Sequence, residues 1–434
     1  MSKSSRQTAF EILLKIQQDN AYSNITVDSL LSGSALDARD KSFVSALVYG
    51  VIERMITIDY QLNSYLTQPL KKLKPQVLVI LRLGVYQLLF MDKVPESAAV
   101  NESVKLTKSN KCAFASSLVN AVLRKCAKNG LVLPDEKSPE FLSVKYSCPL
   151  WLINKWKNEY GKEDTLLLLQ SFCGKAESVI RVNTIRTTSE KLIKVLSDEG
   201  VEAVEGNIKD SLIISLSGNS VSHLKSFQEG LFHVQDTASQ ICVKALGAKE
   251  NETVFDLCSA PGGKSFTTAQ HMNNKGKILS FDLYEHRVKL INDGAKRLGI
   301  DIIEAKTGDA AVFDEMLGCA DRVLCDVPCS GFGIIRRKPE IKYKDERSFD
   351  ELPDIQYKIF ANASRYVKSG GRIIYSTCTL NKKENEDVCE RFLREHKEFR
   401  AVSVLEEFGE SPFVTLMPHK NNSDGFFIAS FEKE

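Results

Sequence analysis

The sequence predicts three segments of different fold class: an all-helical segment, a small α+β segment and an α/β segment with a doubly wound parallel sheet. Residues 1–132 show only the apolar spacing of helices. Residues 140–231 mix helical patterns with short strand-like runs, and from residue 232 to 434 strand and helix patterns alternate, as in βαβ units. A chain of 434 residues is long enough to give each segment its own core.

The amino-terminal segment is predicted to be helical because its apolar residues recur three and four positions apart. Ala9, Ile12, Leu13 and Ile16 are an example. The most apolar stretch, Val77–Met91, is short and contains Arg82, which favours a buried helix over a membrane span. No alternating strand pattern occurs before residue 131.

Five strands and four helices are predicted in the carboxyl-terminal segment. The strands are Thr253–Leu257, Lys277–Asp282, Ile302–Ala305, Arg322–Asp326 and Arg372–Ser376, followed by a last strand in "GFFIASFEK". The helices are Lys264–Met272, Glu285–Leu298, Asp350–Val367 and Lys383–His396. In such a sheet, ligands bind outside the carboxyl ends of the strands, so the residues that follow each strand are the candidate site.

The charge is unevenly distributed along the chain, whose net charge is +2. Residues 1–130 carry 17 Lys and Arg against 10 Asp and Glu, whereas the remainder carries 41 against 46. A positive amino-terminal third favours a polyanionic partner, although an ordinary solvated surface explains it equally well.

The eleven cysteines argue for a reducing compartment, which predicts a cytoplasmic protein. Their number is odd and no C-x-x-C pair occurs, so neither a disulfide framework nor a zinc site is expected. The first residues contain no apolar run of signal-peptide length.

The first strand of the α/β segment is followed by "DLCSAPGGKSF", a glycine-containing turn into a helix. A P-loop would need Gly where Cys258 stands, and the dinucleotide fingerprint G-x-G-x-x-G is absent. The turn therefore suits a cofactor without pyrophosphate, unless it is a tight turn and nothing more.

Acidic residues follow the next two strands. Asp282 ends the second strand, where an acid can accept both hydrogen bonds from a ribose, and Asp309 follows the third strand, within reach of an adenine amino group. An adenosine moiety without phosphates indicates S-adenosylmethionine. Taken singly, such acids are more often helix caps.

Two cysteines follow the fourth and fifth strands, Cys329 in "CDVPCSGFG" and Cys378 in "YSTCTL", with Asp326 near the first. A buried free cysteine is often inert packing, but two thiols beside a cofactor pocket favour covalent catalysis. Spacing alone does not say which thiol attacks.

These motifs, in this order and with "FHVQDTASQ" before them, resemble the RNA cytosine-5 methyltransferase family (the NOL1/NOP2/Sun group). "LVYGVIER" and "SLVNAVLRKC" resemble the antitermination-factor-B-like (NusB-like) domain of its bacterial Sun/Fmu-type 16S rRNA members. The resemblance covers nearly the whole chain. It implies a Rossmann-like catalytic domain and methylation of C5 of a 16S rRNA cytosine, number 967 in conventional rRNA numbering, with the same chemistry on tRNA or another RNA as the alternative.

The resemblance also implies the roles of individual residues. The cofactor turn comprises Cys258, Ser259, Ala260, Pro261, Gly262, Gly263 and Lys264, with Asp282, Asp309 and Asp326 as further contacts. Cys378 is the nucleophile that attacks C6 of cytosine, Cys329 assists release of the product, and Asp326, if protonated, stabilises the N3–C4 edge of the base.

The expected partner is a structured RNA, such as a 16S rRNA hairpin, from which one nucleotide is extruded. Arg336, Arg337 and Lys338 are the candidate phosphate contacts, and "KKLK" at Lys71–Lys74 is another, although a solvated basic segment explains both equally well. A monomer without metal and without a membrane is expected. A non-enzymatic RNA-binding factor and a DNA methyltransferase, in which Cys329 would attack, remain as alternatives.

Overall fold

The computed structural model describes residues 4–19, 30–31, 33–34, 36–174, 176–216 and 220–434. Two compact units divide the chain. The first comprises residues 1–173 and 335–344, and the second comprises residues 174–334 and 345–434. Among the described residues, no helix has both the length and the apolar character needed to cross a membrane.

The described residues of the first unit form helices and 3₁₀ turns joined by loops, and no strand, as the sequence predicts for residues 1–132. Its helices are α1 (Ser5–Asp19), α2 (Ala38–Glu53), α3 (Met55–Tyr65), α4 (Pro75–Phe90), α5 (Glu96–Ser109), α6 (Ser116–Asn129), α7 (Phe141–Tyr146) and α8 (Leu150–Ser171), with 3₁₀ turns at Leu70–Lys72 and Ala113–Ala115. Pro75 occupies the first turn of α4, where its missing N–H costs no hydrogen bond. The apolar stretch that contains Arg82 lies in α4, and Arg82 pairs with Asp59 at 2.7 Å.

A later segment of the chain, Ile335–Lys344, belongs to this first unit. It forms a 3₁₀ helix at Pro339–Tyr343, in which the Lys342 ammonium donates to the carbonyl oxygen of Glu53 at 2.9 Å. Burial lowers the pKa of Lys342 to about 8. Helices α7 and α8 also lie in the first unit, whereas composition placed them with the α+β segment; the three-domain boundaries stay a prediction.

The second unit begins with a small antiparallel sheet in the order β2-β3-β1-β4. Its elements are β1 (Ser178–Val182), α9 (Ser189–Asp198), β2 (Glu202–Glu205), β3 (Ser211–Ser215), a 3₁₀ turn (Val221–His223), α10 (Lys225–Gln228) and β4 (Phe232–Val234). Ile180, Leu192, Leu212 and Phe232 form its apolar core. The mixed α+β character predicted from composition is confirmed here.

The rest of the second unit is a large sheet with helices on both faces. Its elements are α11 (Thr237–Leu246), β5 (Thr253–Asp256), α12 (Gly263–His271), β6 (Lys277–Asp282), α13 (Glu285–Leu298), β7 (Ile303–Thr307), β8 (Ala320–Asp326), α14 (Leu352–Ser364), β9 (Val367–Thr377), α15 (Glu386–Glu395), β10 (Phe399–Ala401), β11 (Phe413–Leu416), α16 (Pro418–Asn421) and β12 (Phe426–Lys433), with 3₁₀ turns at Glu315–Leu317, Glu346–Phe349, Lys382–Glu384 and Glu406–Phe408. One core contains residues of α11, α12 and α13, and another contains residues of α14 and α15.

The strand order is β10-β12-β9-β8-β5-β6-β7, and β11 pairs with β12. Strands β5 to β9 are parallel, so the five predicted strands and the doubly wound arrangement are confirmed. The last strand, β12, is present as predicted, and it runs antiparallel to β9, β10 and β11, a direction that the sequence did not predict. The connection from β9 to β12 is long enough for either direction, and apolar patterns carry no information about direction.

Candidate active site

A cavity of about 210 Å³ lies where the chain leaves β5 and β8. After β5 the chain continues through β6 and β7 to one side of the sheet, whereas β8 and β9 lie on the other side. This reversal of strand order opens a crevice at the carboxyl ends of the strands, which is where doubly wound sheets bind ligands. The cavity is lined by Val234, Gln235, Asp236, Ser239, Asp256, Cys258, Ser259, Ala260, Pro261, Gly263, Lys264 and Asp326.

The turn between β5 and α12 brings backbone close to this cavity. Gly262 has φ 105°, and a β-carbon there would approach the Phe266 ring to 2.4 Å, so only glycine fits. The Ser259 N–H donates to the Phe281 carbonyl at 2.8 Å and ties the turn to β6. Six of the seven predicted turn residues line the cavity; Gly262 shapes the turn without lining it.

Asp256, the last residue of β5, presents an unsatisfied acceptor in the cavity wall. Its Oδ2 accepts from the Ser265 hydroxyl at 2.6 Å, while its Oδ1 is buried and has no hydrogen-bond partner among the described residues. Burial raises the pKa of this carboxyl to about 7. A ligand with an N–H or ammonium group could satisfy Oδ1.

The buried Asp256 carboxyl is expected to make stability fall as pH rises. Between about pH 4 and 7 the folded protein keeps a proton that the unfolded chain has already lost, so the free energy of unfolding decreases over that window. The Asp256→Asn variant lacks this dependence. The stability difference between wild type and variant should therefore shift by on the order of 2–4 kcal/mol between pH 4 and 8.

Urea denaturation at these two pH values measures that shift, with Asp309→Asn at an exposed position as the control. An equal stability difference at both pH values would contradict the assignment.

Asp282 and Asp309 do not line this cavity. Asp282 is buried at the end of β6, where it pairs with Arg287 at 3.1 Å and accepts from the Tyr284 N–H at 3.3 Å. Asp309 is exposed and accepts from the Ala311 N–H at 2.9 Å, a turn-capping contact. Their contacts to ribose and adenine stay predictions.

Five cavity residues were not predicted from the sequence. Asp256 ends β5, Val234 ends β4, Ser239 lies in α11, and Gln235 and Asp236 lie between β4 and α11. Gln235 is buried, accepts from the Thr267 hydroxyl at 2.5 Å, and has no partner for its Nε2 among the described residues. Asp236 caps α11 by accepting from the Ala238 N–H at 2.8 Å. Val234, Gln235, Asp236 and Ser239 all belong to "FHVQDTASQ", a motif of the resemblance that carries no strand-end signal of its own.

Lys264 and Asp326 form an ion pair across the cavity wall. The Lys264 ammonium lies 2.6 Å from Asp326 Oδ2, and the Ser376 hydroxyl donates to Oδ1 at 2.9 Å. Burial is the largest single influence on the pKa of Lys264 and lowers it, but the surrounding acidic groups, Asp326 foremost, together outweigh burial, and the net pKa is raised. In these contacts both oxygen atoms of Asp326 accept hydrogen bonds, as a carboxylate does. The role predicted for Asp326 requires a carboxylic acid that donates one.

The two candidate catalytic cysteines lie side by side. β8 and β9 are neighbours, and the Sγ atoms of Cys329 and Cys378 are 3.2 Å apart. Strand β9 ends at Thr377, one residue later than predicted, so Cys378 directly follows the strand. Contact with the Cys378 sulfur, together with burial, raises the pKa of the Cys329 thiol well above its ordinary value. Both side chains are only partly buried, which leaves them accessible to a substrate.

The candidate RNA contacts lie in the first unit. Arg336 and Arg337 are half-buried and Lys338 is exposed, just before the 3₁₀ helix that Lys342 anchors. In the other candidate cluster, Lys71, Lys72 and Lys74 are exposed. Their binding of phosphates stays a prediction.

Comparison with known proteins identifies the family. The chain is 37% identical to the probable ribosomal RNA small subunit methyltransferase B of Bacillus subtilis (strain 168), and the match covers 100% of both chains. A protein of the same description from Synechocystis is 33% identical, with 99% of each chain covered. Residues 243–432 match the family described as 16S rRNA methyltransferase RsmB/F. The chain belongs to the RsmB/F methyltransferase family.

Two further family models match segments of the chain that precede residues 243–432. Residues 3–128 match the NusB family, and residues 148–220 match the ferredoxin-like domain of RsmF/B-like methyltransferases. The crystal structure of PH0851 is 29% identical and superposes with a TM-score of 0.84, with 100% of both chains covered. NSun6 from Pyrococcus horikoshii shares the fold over 66% of this chain and 98% of its own, with a TM-score of 0.60.

The fold class and the resemblance predicted from sequence are thus confirmed. Within the RsmB/F match lie the cavity turn, Asp326 and both cysteines. Among the described residues, no three His, Cys, Asp or Glu side chains are grouped so that they could hold a metal ion.

Proposed function

We propose that this chain transfers a methyl group from S-adenosylmethionine to C5 of a cytosine in 16S rRNA, at position 967 in conventional numbering. Family membership supports a methyltransferase of small-subunit rRNA. The observation that carries the finer proposal is the pair of sulfur atoms that lie 3.2 Å apart in the segments following the adjacent strands β8 and β9. C5 of cytosine is a poor nucleophile, and a thiolate that adds to C6 is a direct way to activate it.

The cavity residues fit S-adenosylmethionine. Asp256 Oδ1 is an unsatisfied acceptor for an ammonium group, and the turn at Gly262 admits close backbone approach without a pyrophosphate motif. Asp282 would bind the ribose hydroxyls at the end of β6. When bound, the cofactor supplies an electrophilic methyl group on a sulfonium.

Cys378 is proposed as the nucleophile, and Asp326 and Lys264 as the groups that hold the base. The Cys378 thiolate forms a bond to C6, and the electron pair of the C5–C6 double bond moves toward the N3–C4 edge. The Asp326 carboxylate would accept a hydrogen bond from the amino group on C4, and the Lys264 ammonium, which lies 2.6 Å from Asp326 Oδ2, would offset the negative charge that develops on N3. Both groups belong to the wall of the cofactor cavity, so base and cofactor would share it.

Cys329 is proposed to assist release of the product. Release requires loss of the C5 proton while the bond between C6 and the Cys378 sulfur breaks and returns its electron pair to sulfur. The Cys329 sulfur lies 3.2 Å from the Cys378 sulfur, so as a thiolate it would be placed to take that proton.

The RNA is proposed to be a structured hairpin whose target cytosine leaves its stack. Residues 1–130 carry an excess of positive charge, and Arg336, Arg337 and Lys338 would contact phosphates.

Methyl transfer to separate RNA pools tests the proposal. The protein is incubated with methyl-labelled cofactor and 16S rRNA, 23S rRNA or tRNA, and the labelled nucleoside is identified after digestion. The expected product is 5-methylcytidine in 16S rRNA alone. Label confined to tRNA, or on any nucleoside other than cytidine, would refute it.

A further inference from the structure

The buried carboxylate of Glu384 contacts two segments that carry the cysteines: residues 327–331 after β8, with Cys329, and residues 378–381 after β9, with Cys378. These two segments are called the cysteine loops. Glu384 is 0% exposed and ends the 3₁₀ turn that follows the Cys378 loop. All its side-chain partners among the described residues are neutral donors. The contacts to Oε1 come from Ser330 Oγ at 2.5 Å and Asn381 Nδ2 at 2.6 Å, and those to Oε2 come from the Ser330 N–H and Gln356 Nε2, each at 2.9 Å.

These contacts hold the backbone on both sides of Cys329. Ser330, the next residue, donates to Glu384 with both its N–H and its hydroxyl. Gln356 Nε2 donates to Glu384 and also to the carbonyl oxygen of Pro328, the preceding residue, at 2.9 Å. The position of the Cys329 sulfur therefore depends on where Glu384 lies.

The same network reaches the Cys378 loop. Because the Ser330 hydroxyl donates to Glu384, the Thr379 hydroxyl at 2.6 Å must donate to Ser330. Thr379 follows Cys378 directly. The Tyr375 hydroxyl donates to the Glu384 carbonyl oxygen at 2.5 Å, so the turn is also attached to β9. One carboxylate thus joins both cysteine loops.

Burying a carboxylate costs desolvation free energy, and among the described residues no cation lies against Glu384 to offset that cost. Four donors converging on two oxygen atoms compensate that cost and make the position of each donor interdependent. Such a network defines one geometry more sharply than apolar packing does.

We infer that Glu384 is a positioning residue that sets the separation of the Cys329 and Cys378 sulfur atoms, and through it the geometry of attack and release. The inference rests on the proposed function for its catalytic consequence, but the sulfur–sulfur geometry can be measured without RNA or cofactor.

Glu384→Gln tests the inference, because glutamine has the same size but replaces one acceptor oxygen by a donor that faces other donors. Glu199→Gln is the matched control. Glu199 likewise accepts from the N–H and hydroxyl of one serine, Ser226, at 2.8 and 2.5 Å, and lies beside the small four-stranded sheet, away from the cysteines.

The first readout is the rate at which diamide joins Cys329 to Cys378, quantified by peptide mapping without RNA. Glu384→Gln is expected to slow this oxidation at least about tenfold, while Glu199→Gln keeps the wild-type rate. The second readout is methylation, for which Glu384→Gln should lower kcat about 100-fold and leave the KM for RNA within about threefold. If Glu384→Gln does not fold, Ser330→Ala, which removes the hydroxyl link between the loops, should slow the oxidation in the same direction.

Wild-type oxidation rates in Glu384→Gln, or equal slowing in Glu199→Gln, would overturn the inference. If the wild-type protein methylates no RNA but Glu384→Gln still slows the oxidation, the positioning role of Glu384 is upheld and the proposed function is refuted.

Discussion

Replacing Cys378 by alanine is expected to abolish methylation and the covalent protein–RNA adduct together. Cys378 directly follows β9, two residues after Ser376, whose hydroxyl donates to Asp326 of the cavity wall. Without its sulfur no bond to C6 can form, and the expected loss of turnover is at least about 10³-fold, as for other covalent nucleophiles. Turnover is measured with labelled cofactor and 16S rRNA, and the adduct on a denaturing gel.

Cys319→Ala is the control for that experiment, because Cys319 is an exposed cysteine just before β8, outside the site. It should retain wild-type turnover and adduct. Cofactor binding by Cys378→Ala, measured by calorimetry, should also be unchanged, since Cys378 does not line the cavity. Residual adduct or turnover near the wild-type level in Cys378→Ala would contradict the assignment and favour a non-covalent or Cys329-dependent reaction.

Replacing Cys329 by alanine is expected to have the opposite effect on the adduct. Attack by Cys378 proceeds, but release stalls because the base for the C5 proton is missing. The adduct should therefore persist through denaturation and accumulate to about one equivalent of enzyme, whereas in the wild type it is transient. Turnover should fall at least about 100-fold, within the range of a general-base contribution.

The adduct of Cys329→Ala should carry a methyl group at C5 of the cytosine, which mass spectrometry of the trapped nucleotide can measure. A variant that forms no adduct would reverse the two cysteine roles. An adduct without the methyl group would place Cys329 at an earlier step than release.

The fold was largely predictable because its signals are local. Strands β5, β6, β8 and β9 each contain a short apolar run, and the observed bounds of the helix Glu285–Leu298 are those that the sequence predicts. The antiparallel direction of β12 and the placement of Ile335–Lys344 in the first unit were not predictable. They depend on contacts between residues far apart in sequence, and the spacing of apolar residues gives no information about such contacts.

The candidate site was predictable where a residue follows a strand. That rule located the cavity turn, Asp326 and both cysteines, which the structure brings together at the reversal of strand order. The rule did not find Gln235, because that residue precedes the helix α11 and does not follow a strand of the large sheet. It did not find Glu384 either, because a glutamate in "KKENE" is expected to be a solvated surface charge. The burial of Glu384 is visible only once four donors from separate segments are seen to converge on it.

RNA in which the target is 5-fluorocytidine tests whether Cys378 attacks C6 of cytosine. Fluorine at C5 cannot leave as a cation, so the wild-type enzyme stays bonded to the RNA after methyl transfer. Proteolysis and mass spectrometry then locate the bond. A nucleotide linked to Cys378 is the predicted result, and a nucleotide linked to Cys329 would contradict the account.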